Sequence, residues 1–296
     1  MIQIIIALML LLNFVCVAVM FYQWQRQTPV FISIKQKIQL TLSGVIAFVA
    51  DTLGIGSFAV NIALAKLFKT FDDDELPPMV NGAQIIPGAI ESLFFMKWVN
   101  VDIKTLIILV LGTCLGGLLG GHVVSRLSKQ AIRSMMVVCF GLIMFLLISK
   151  EMQWLPVGGN LVALTSYKLL FGFIAMIVCG ALTSAGIGLF AMVQGVLFLL
   201  GVSPAVAFPI MTTAGAMQQP LTTLVFLKQN KIPLKKTLLL SLGGCFGVVL
   251  AIPIFSALSV NVLHQLLLGI LAYNIIMISR AYLKDRKTNQ MLLETA

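Results

Sequence analysis

One short pattern occurs twice in this chain, and each copy interrupts an apolar stretch that is too long for a single membrane helix. Residues 54–60 read G-I-G-S-F-A-V, and residues 186–192 read G-I-G-L-F-A-M. The surrounding stretches, 38–69 and 166–200, would make straight helices of roughly 50 Å, whereas the hydrocarbon core of a bilayer is about 30 Å thick. Each stretch is therefore predicted to form two shorter helices that meet at the glycines.

The similarity between the two parts of the chain continues beyond these patterns. Pro87 matches Pro220 at an offset of 133 residues, and Gly112 matches Gly243 at an offset of 131. Two related halves with paired breaks are typical of secondary transporters. Unwound backbone persists at membrane depth only where protein or a cavity satisfies its polar groups, so the paired breaks indicate a binding site.

Composition places the chain in a membrane and leaves little room for a soluble domain. Hydrophobic residues make up 59% of the 296 residues and charged residues 10%, whereas soluble domains are about 25% charged. The net charge of +10 comes from lysines and arginines in short loops between apolar runs. That distribution sets membrane orientation. We therefore expect an all-α polytopic membrane protein with no nucleic-acid partner.

The sequence offers no constellation for catalysis or for a bound metal. Its five cysteines lie inside apolar runs without a CxxC or Cys/His cluster, so neither a metal site nor a disulfide framework is predicted. No nucleophile–base arrangement is evident either. We expect neither an enzyme nor a protein with a cofactor.

The apolar runs divide the chain into an N-terminal helix and two homologous halves. In each half, a glycine-broken segment precedes three transmembrane helices. The first run, 2–22, is expected to stay as a helix, because it lacks the positive n-region and cleavage site of a signal peptide; a cleaved signal peptide is the alternative. The predicted units are 1–35 (N-terminal helix and loop), 36–149 (first repeat), 150–165 (connector), 166–282 (second repeat) and 283–296 (polar tail).

Two questions about topology stay open at the level of sequence. Each broken segment could be a re-entrant hairpin or a tight pair of short spans. If it returns to the side from which it started, the halves are inverted; if it crosses the membrane once, each half has four spans and the halves are parallel. An inverted arrangement puts 16 lysines and arginines inside and 4 outside, and a parallel one puts 15 and 5, so the positive-inside rule does not discriminate. Inverted repeats are favoured, because alternating access follows from them. Both arrangements place the N-terminus outside and the C-terminus in the cytoplasm.

The second half carries motifs of a known family. Residues 201–208 read G-V-S-P-A-V-A-F, residues 226–237 read F-L-K-Q-N-K-I-P-L-K-K-T, and residues 243–251 read G-G-C-F-G-V-V-L-A. Together with the two glycine breaks, the chain over 36–282 resembles the TauE/SafE sulfite exporter family, also called toluene sulfonate uptake permeases. The resemblance implies a proton- or gradient-linked carrier of small sulfur oxyanions or organosulfonates in the bacterial inner membrane.

The chain departs from the glycine-rich motif of that family in both halves. Ser57 and Phe58 replace its third and fourth glycines in the first half, and Leu189 and Phe190 replace them in the second. Sulfite or an organosulfonate is the expected substrate and export the expected direction. The alternatives are a carrier or channel for another small solute and a non-transporting assembly partner. The other partners considered are the lipid bilayer and a second copy of the chain in a homodimer.

The glycines of the two breaks are the first candidates for substrate binding. A broken helix exposes backbone N–H groups, and the half-helix that follows adds the positive end of its dipole. A small anion could bind there without a buried arginine. The alternative is that the glycines only permit close helix packing. These candidates are Gly54, Gly56, Gly186 and Gly188.

Two acidic residues inside apolar runs are candidates for proton coupling. Asp51 lies three residues before Gly54, and Glu91 lies four residues after Pro87. Intramembrane carboxylates are costly and usually functional. Asp51 could instead cap the following half-helix, and Glu91 could lie near the membrane end of its helix. The counterpart of Asp51 in the second half is Thr183, so the halves differ chemically there.

The remaining polar residues of these runs are candidates for lining a pathway. Pro87 and Pro220 each free a backbone carbonyl one turn upstream, and amides and hydroxyls surround those turns. They could bind oxyanion oxygens, or they could join helices to each other. The set is Asn61, Asn81, Gln84, Thr212, Thr213 and Gln218, with Gln219 beside it. The acidic run 72–75 is expected to be a solvated turn.

Overall fold

The computed structural model describes residues 2–27, 31–96, 101–154, 159–254, 269–270 and 272–284. Apart from one isolated bridge, the regular structure of these residues is helical. Parts of the predicted connector (155–158), second repeat (255–268) and tail (285–296) lie outside the described residues. The helices are α1 (Ile2–Arg26), α2 (Ile34–Thr52), α3 (Ser57–Phe68), α4 (Leu76–Ala83), α5 (Ile85–Met96), α6 (Ile103–Val124), α7 (Lys129–Glu151), α8 (Ser166–Ser184), α9 (Leu189–Leu199), α10 (Pro204–Lys228) and α11 (Leu234–Ala251), with a short 3₁₀ turn at Ile252–Ile254 and helical residues over 272–284.

The chain is a helical membrane protein. Five helices, α1, α6, α7, α8 and α11, are long and apolar enough to cross a membrane. Large apolar side chains cover their outer faces; Phe14 of α1, for example, is 71% exposed. Such faces are stable in lipid and would aggregate in water.

The stretch 38–69 holds α2 and α3, and the stretch 166–200 holds α8 and α9. The N–H of Gly54 bonds to the carbonyl of Asp51, and the N–H of Gly186 bonds to that of Thr183. The φ angles of these glycines are 92° and 90°, a left-handed conformation that ends a helix at little cost only without a Cβ. α2 and α8 therefore end in the same local geometry.

Glycines bring α6 and α8 together, and the register of the contacts gives their relative direction. A Cβ on Gly116 would collide with the carbonyl of Ile177, and one on Gly120 would collide with that of Ala181. Both residue numbers rise together, so the helices run parallel. Only glycine permits this close approach of the two helices.

The helices α2 and α11 pair in the same way. Gly243 faces the carbonyl of Thr41, and Gly247 faces that of Val45, so these two helices are also parallel. In each of the two pairs, one helix precedes the connector and the other follows it: α2 pairs with α11, and α6 pairs with α8.

The helix α10 fixes the direction of the rest of the bundle. It runs antiparallel to α5, because Ser92 faces Thr213 whereas Gly88 lies near Gln219. In its contacts with α1 and with α6, the residue numbers of the two helices increase together, so α1 and α6 are parallel to it. Contacts of Gly82 with Thr237 and of Pro87 with Gly244 make α4 and α5 parallel to α11. The helices α1, α6, α8 and α10 thus run one way, and α2, α4, α5 and α11 run the other way.

Contacts between loops show where the short helices α3 and α9 end. The Nζ of Lys168, at the start of α8, donates to the carbonyl of Leu200 at 3.2 Å, just after α9. On the opposite side, Glu75, in the loop after α3, pairs with Lys236 at the start of α11 at 3.4 Å. The start of α11 also lies beside the start of α2. α9 therefore ends next to the start of α8, and α3 ends near the start of α2.

Most of the positive charge lies at the end of the bundle where α1, α6 and α10 end and α2 and α11 begin, which we call the basic end. Lys104 and Lys168 lie at the opposite end. The residues of the basic end are Arg26, Lys35, Lys37, Lys66, Lys69, Arg126, Lys129, Arg133, Lys228, Lys231, Lys235 and Lys236.

The prediction that the acidic run 72–75 is a solvated turn is wrong for Asp73. This residue is only 4% exposed and forms ion pairs with Lys66 and with Arg133, which is itself 5% exposed. Burial of a charge is tolerable only when the charge is paired. The sequence could not reveal this, because Arg133 lies 60 residues away in α7.

Candidate functional site

The centre of the candidate site is the carboxylate of Asp51, at the end of α2. Its Oδ1 accepts a hydrogen bond of 2.6 Å from the backbone N–H of Ser57, and its Oδ2 accepts one from the amide of Gln84. The hydroxyl of Ser57 donates to the other end of the same amide. All three side chains are buried. The carboxylate therefore caps α3 from six residues upstream, the capping role weighed in the sequence.

Local chain chemistry explains why Gln84 reaches this point. Pro87 has no N–H, so the carbonyl of Ala83 lacks its usual helical donor. The helix is interrupted there: α4 ends at Ala83, and α5 begins at Ile85. Gln84 lies at the interruption, with its side chain turned toward Asp51.

Glu91 is the second carboxylate near this centre and is 1% exposed. The side chain of Thr52 lies beside it, and it interacts electrostatically with Asp51. Its Oε1 has no hydrogen-bond partner among the described residues. Glu91 is therefore deeply buried and lies near the Asp51 centre.

The two glycine breaks meet at one small cavity. Gly56 and Gly188 both line it, and the space holds about one water molecule. The helices α3 and α9 begin immediately after these glycines, so both N-terminal ends point into the same region. The other lining residues are apolar: Ile55, Ala59, Phe140, Ile143, Phe190 and Ala191.

The N-terminal ends of α3 and α9 differ in one respect. The first N–H of α3 is bonded to Asp51, whereas α9 follows Gly188 with no side-chain cap. The position that matches Asp51 is Thr183, whose hydroxyl bonds to a carbonyl of its own helix, that of Cys179. The start of α9 therefore lacks the carboxylate cap that α3 has.

Helix α10 closes the site on the other side. Phe208 lies beside Gly54 and stacks on Phe95, with ring centroids 5.4 Å apart. The hydroxyl of Thr213 lies 3.2 Å from that of Ser92, one residue after Glu91. The Oε1 of Gln219 has no partner among the described residues.

The structure keeps several predicted site residues apart from the Asp51 centre. Gln218 bonds to Thr222 at 2.6 Å and packs on Gly117, in the interface of α6 with α10. Thr212 bonds back to the carbonyl of Phe208 in its own helix. Asn81 donates to the carbonyl of Thr183 at 3.2 Å, next to the second break.

Asn61 lies in α3, and Gly186 lies beside α3 and α4. Asn61, in α3, is 1% exposed, and neither atom of its amide has a partner among the described residues. A Cβ on Gly186 would lie near Pro77 of α4 and Ile62 of α3. The second break therefore packs on the elements that carry the first.

Sequence reasoning missed Ser57, Thr52, Ser92 and Phe208. Ser57 was noted only as a replacement for a glycine, although a serine at the first position of a half-helix, six residues after an acid, is a signal for a local bond. Ser92 and Phe208 come from distant segments, and only the packing of α5 against α10 reveals them. Thr52 directly follows Asp51 in the chain.

The described residues contain no group of three or more His, Cys, Asp or Glu side chains placed to hold a metal ion. Comparison with protein-family models, with curated proteins and with solved structures found no match to this chain.

Proposed function

We propose that this protein is a secondary transporter of small anions that works by alternating access between two inverted repeats. The observation that carries the proposal is the cavity shared by Gly56 and Gly188, where the breaks of both halves meet. Discontinuous helices that meet near the centre of a bilayer are the usual binding sites of secondary transporters.

The helix directions support inversion of the repeats. The helices that carry Pro87 and Pro220 are antiparallel, and so are α6 and α11, which carry the matched glycines Gly112 and Gly243. The first helix of each repeat also packs against the glycine-rich helix of the other repeat: α2 packs against α11, and α8 packs against α6. Such a reciprocal exchange follows from a pseudo-two-fold axis in the membrane plane.

The short helices α3 and α9 act in this proposal as halves of re-entrant hairpins. Their lengths of 12 and 11 residues correspond to roughly 16–18 Å, about half the hydrocarbon core. Each returns to the end of the bundle from which its partner, α2 or α8, started. The two segments thus start from opposite ends of the bundle.

The anion preference rests on the backbone. Unbonded N–H groups and the dipole at the start of a helix attract negative charge, and α9 offers both without a side-chain cap. The carboxylate of Asp51 already occupies the matching position of α3. A small anion bound at α9 would therefore lie near a carboxylate, which favours binding when that carboxylate holds a proton.

This relation gives Asp51 and Glu91 the role of proton coupling. Two buried carboxylates that repel each other are a costly arrangement, and intramembrane acids of this kind serve as proton relays. Protonation of Asp51 would weaken its hydrogen bond to Ser57 and remove the repulsion between its carboxylate and the anionic substrate. Proton and anion would then occupy the site together.

The substrate class comes from the family resemblance, which gives sulfite or an organosulfonate, exported across the bacterial inner membrane. The basic end faces the cytoplasm under the positive-inside rule. The N-terminus of α1 then faces outward, and the C-terminus lies in the cytoplasm.

Flux into liposomes tests the proposal. The reconstituted protein is assayed with sulfite, an organosulfonate and sulfate, with and without a pH gradient, and saturable flux that follows the gradient is expected. The variant Gly188→Ala should keep its fold, because φ is −56° and the nearest atom to the new Cβ would be that of Phe58 at 3.9 Å. Its added methyl group would narrow the cavity and lower the flux.

The matched control is Gly195→Ala, in the same helix, with nothing within 4 Å of the new Cβ. It should transport as the wild type does. Flux of another solute would point to the alternative carrier or channel. Folded protein with no flux for any of these anions would overturn the anion assignment and favour a non-transporting assembly role.

A further inference from the structure

A groove separate from the candidate site opens on the membrane-facing surface at the basic end. Elements from both repeats and from the N-terminal helix form its walls, so it exists only in the assembled bundle. Its lining residues are Phe21, Trp24, Phe31, Ile32, Lys37, Ile86, Lys235, Leu238, Leu239 and Leu242.

The inner part of the groove is apolar. Leu238, Leu239 and Leu242 of α11 form one wall, and Ile86 of α5 lies opposite. The step from Lys235 to Leu242 is seven residues, or roughly 10 Å along the helix toward the middle of the membrane. Leu242 is 54% exposed, so the groove is open along its length to lipid.

The mouth of the groove is positively charged. Lys37 and Lys235 line it, and no carboxylate of the described residues forms an ion pair with either. The neighbouring Lys236 turns away, toward Glu75 and the ring of Phe71. The helices α2 and α11 both begin here, so the positive ends of two helix dipoles add to the charge.

Trp24 lies at the same level and is 37% exposed. Tryptophan prefers the headgroup layer of a bilayer, where its ring is partly in lipid and its N–H remains wet. The mouth therefore lies at the depth of the phosphate groups, and the leucines lie at the depth of the acyl chains.

We propose that this groove is a binding site for an anionic phospholipid. The phosphate lies between Lys37 and Lys235, and one acyl chain follows the leucines of α11. A protein segment would leave the two lysines unmatched unless it carried acids at headgroup depth, whereas an anionic lipid supplies charge and chain together. The inference does not depend on what the protein transports.

Lipid titration tests the site on the full-length protein in neutral detergent. Phosphatidylglycerol should bind and raise the melting temperature, and phosphatidylcholine should do so far less. In the double variant Lys37→Ala, Lys235→Ala, affinity for phosphatidylglycerol should fall roughly 30-fold. Each lysine near an anionic headgroup contributes about 1 kcal/mol of binding free energy, and the loss of both corresponds to that factor.

The matched control is Lys35→Ala, Lys228→Ala, which removes the same charge from exposed positions of the same end outside the groove. It should bind phosphatidylglycerol as the wild type does. Equal loss in the control would overturn the site in favour of general charge attraction. Equal binding of phosphatidylcholine would overturn the preference for anionic lipid.

A third variant tests the apolar part. Leu242→Trp fills the groove from an exposed position and leaves both lysines in place, so it should weaken lipid binding without unfolding the protein. Unchanged binding in Leu242→Trp, or equally strong binding of soluble glycerol phosphate, would show a phosphate site without an acyl groove and overturn the lipid assignment.

Discussion

At the scale of single residues, Asp51 has a structural role, and we propose that it also couples transport to protons. Its carboxylate holds the first N–H of α3 and the amide of Gln84. We expect Asp51→Asn to remain folded, because an amide can still accept from Ser57 and the Gln84 amide can turn to donate or accept. The variant should lose anion flux driven by a pH gradient and keep anion exchange, since a fixed neutral group cannot cycle a proton.

Liposome assays of both modes measure this effect. The control is Asp72→Asn, at a carboxylate that is 78% exposed in a loop and has no contact with the site. Gradient-driven flux in Asp51→Asn at the wild-type rate would rule out the coupling role and leave only the cap.

A substitution at Asn61 should change the stability of the fold and the transport rate in opposite directions. Its amide is buried without partners among the described residues, and an unsatisfied buried polar group costs about 1–3 kcal/mol. Asn61→Leu should therefore raise the thermal stability and lower the flux, if the amide serves a passing substrate. Residues kept at a cost in stability commonly serve function.

Thermal unfolding in detergent and liposome flux, measured side by side, check this prediction. Asn81→Leu is the matched comparison, because its amide donates to Pro77 and Thr183. That variant should be less stable than the wild type. A loss of stability in Asn61→Leu would mean that its amide is satisfied in the folded protein.

At the scale of helices, the glycines of α6 set the distance to α8. A Cβ on Gly116 would overlap the carbonyl of Ile177, so Gly116→Ala must push the helices apart. Overpacking of this kind costs about 1–3 kcal/mol. Gly141→Ala in α7 has no atom within 4 Å of the new Cβ and should be neutral or slightly stabilising. Thermal unfolding of both variants decides; equal stabilities would contradict the close contact.

The same scale shows what the sequence could predict. Hydropathy and glycine spacing predicted the helical membrane fold, because lipid forces long apolar helices and every polar interruption stands out. The burial of Asp73 was missed, and so was the contact of Ser92 with Thr213. Such contacts depend on which helices, distant in sequence, pack against each other. Patterns within a short stretch of sequence contain no information about that packing.

At the scale of the whole molecule, the inverted arrangement that we propose differs from a parallel one in the faces of the membrane on which two positions lie. Lys69 follows α3, and Ala205 follows α9, at the start of α10. Two inverted hairpins place these positions on opposite faces of the membrane. Four full spans in each half would place them on the same face, because the halves would then repeat without a change of direction.

Single cysteines at these positions, in a protein without its native cysteines, report the face through labelling by an impermeant maleimide. Both side chains are exposed, so labelling depends on the membrane and not on burial. Ala205→Cys should react in intact cells, and Lys69→Cys only after permeabilisation. Lys104→Cys and Lys228→Cys serve as references for the two ends of the bundle. If Lys69→Cys and Ala205→Cys react under the same condition, both the hairpins and alternating access through inverted repeats are wrong. No single axis in the membrane plane could then relate the two halves.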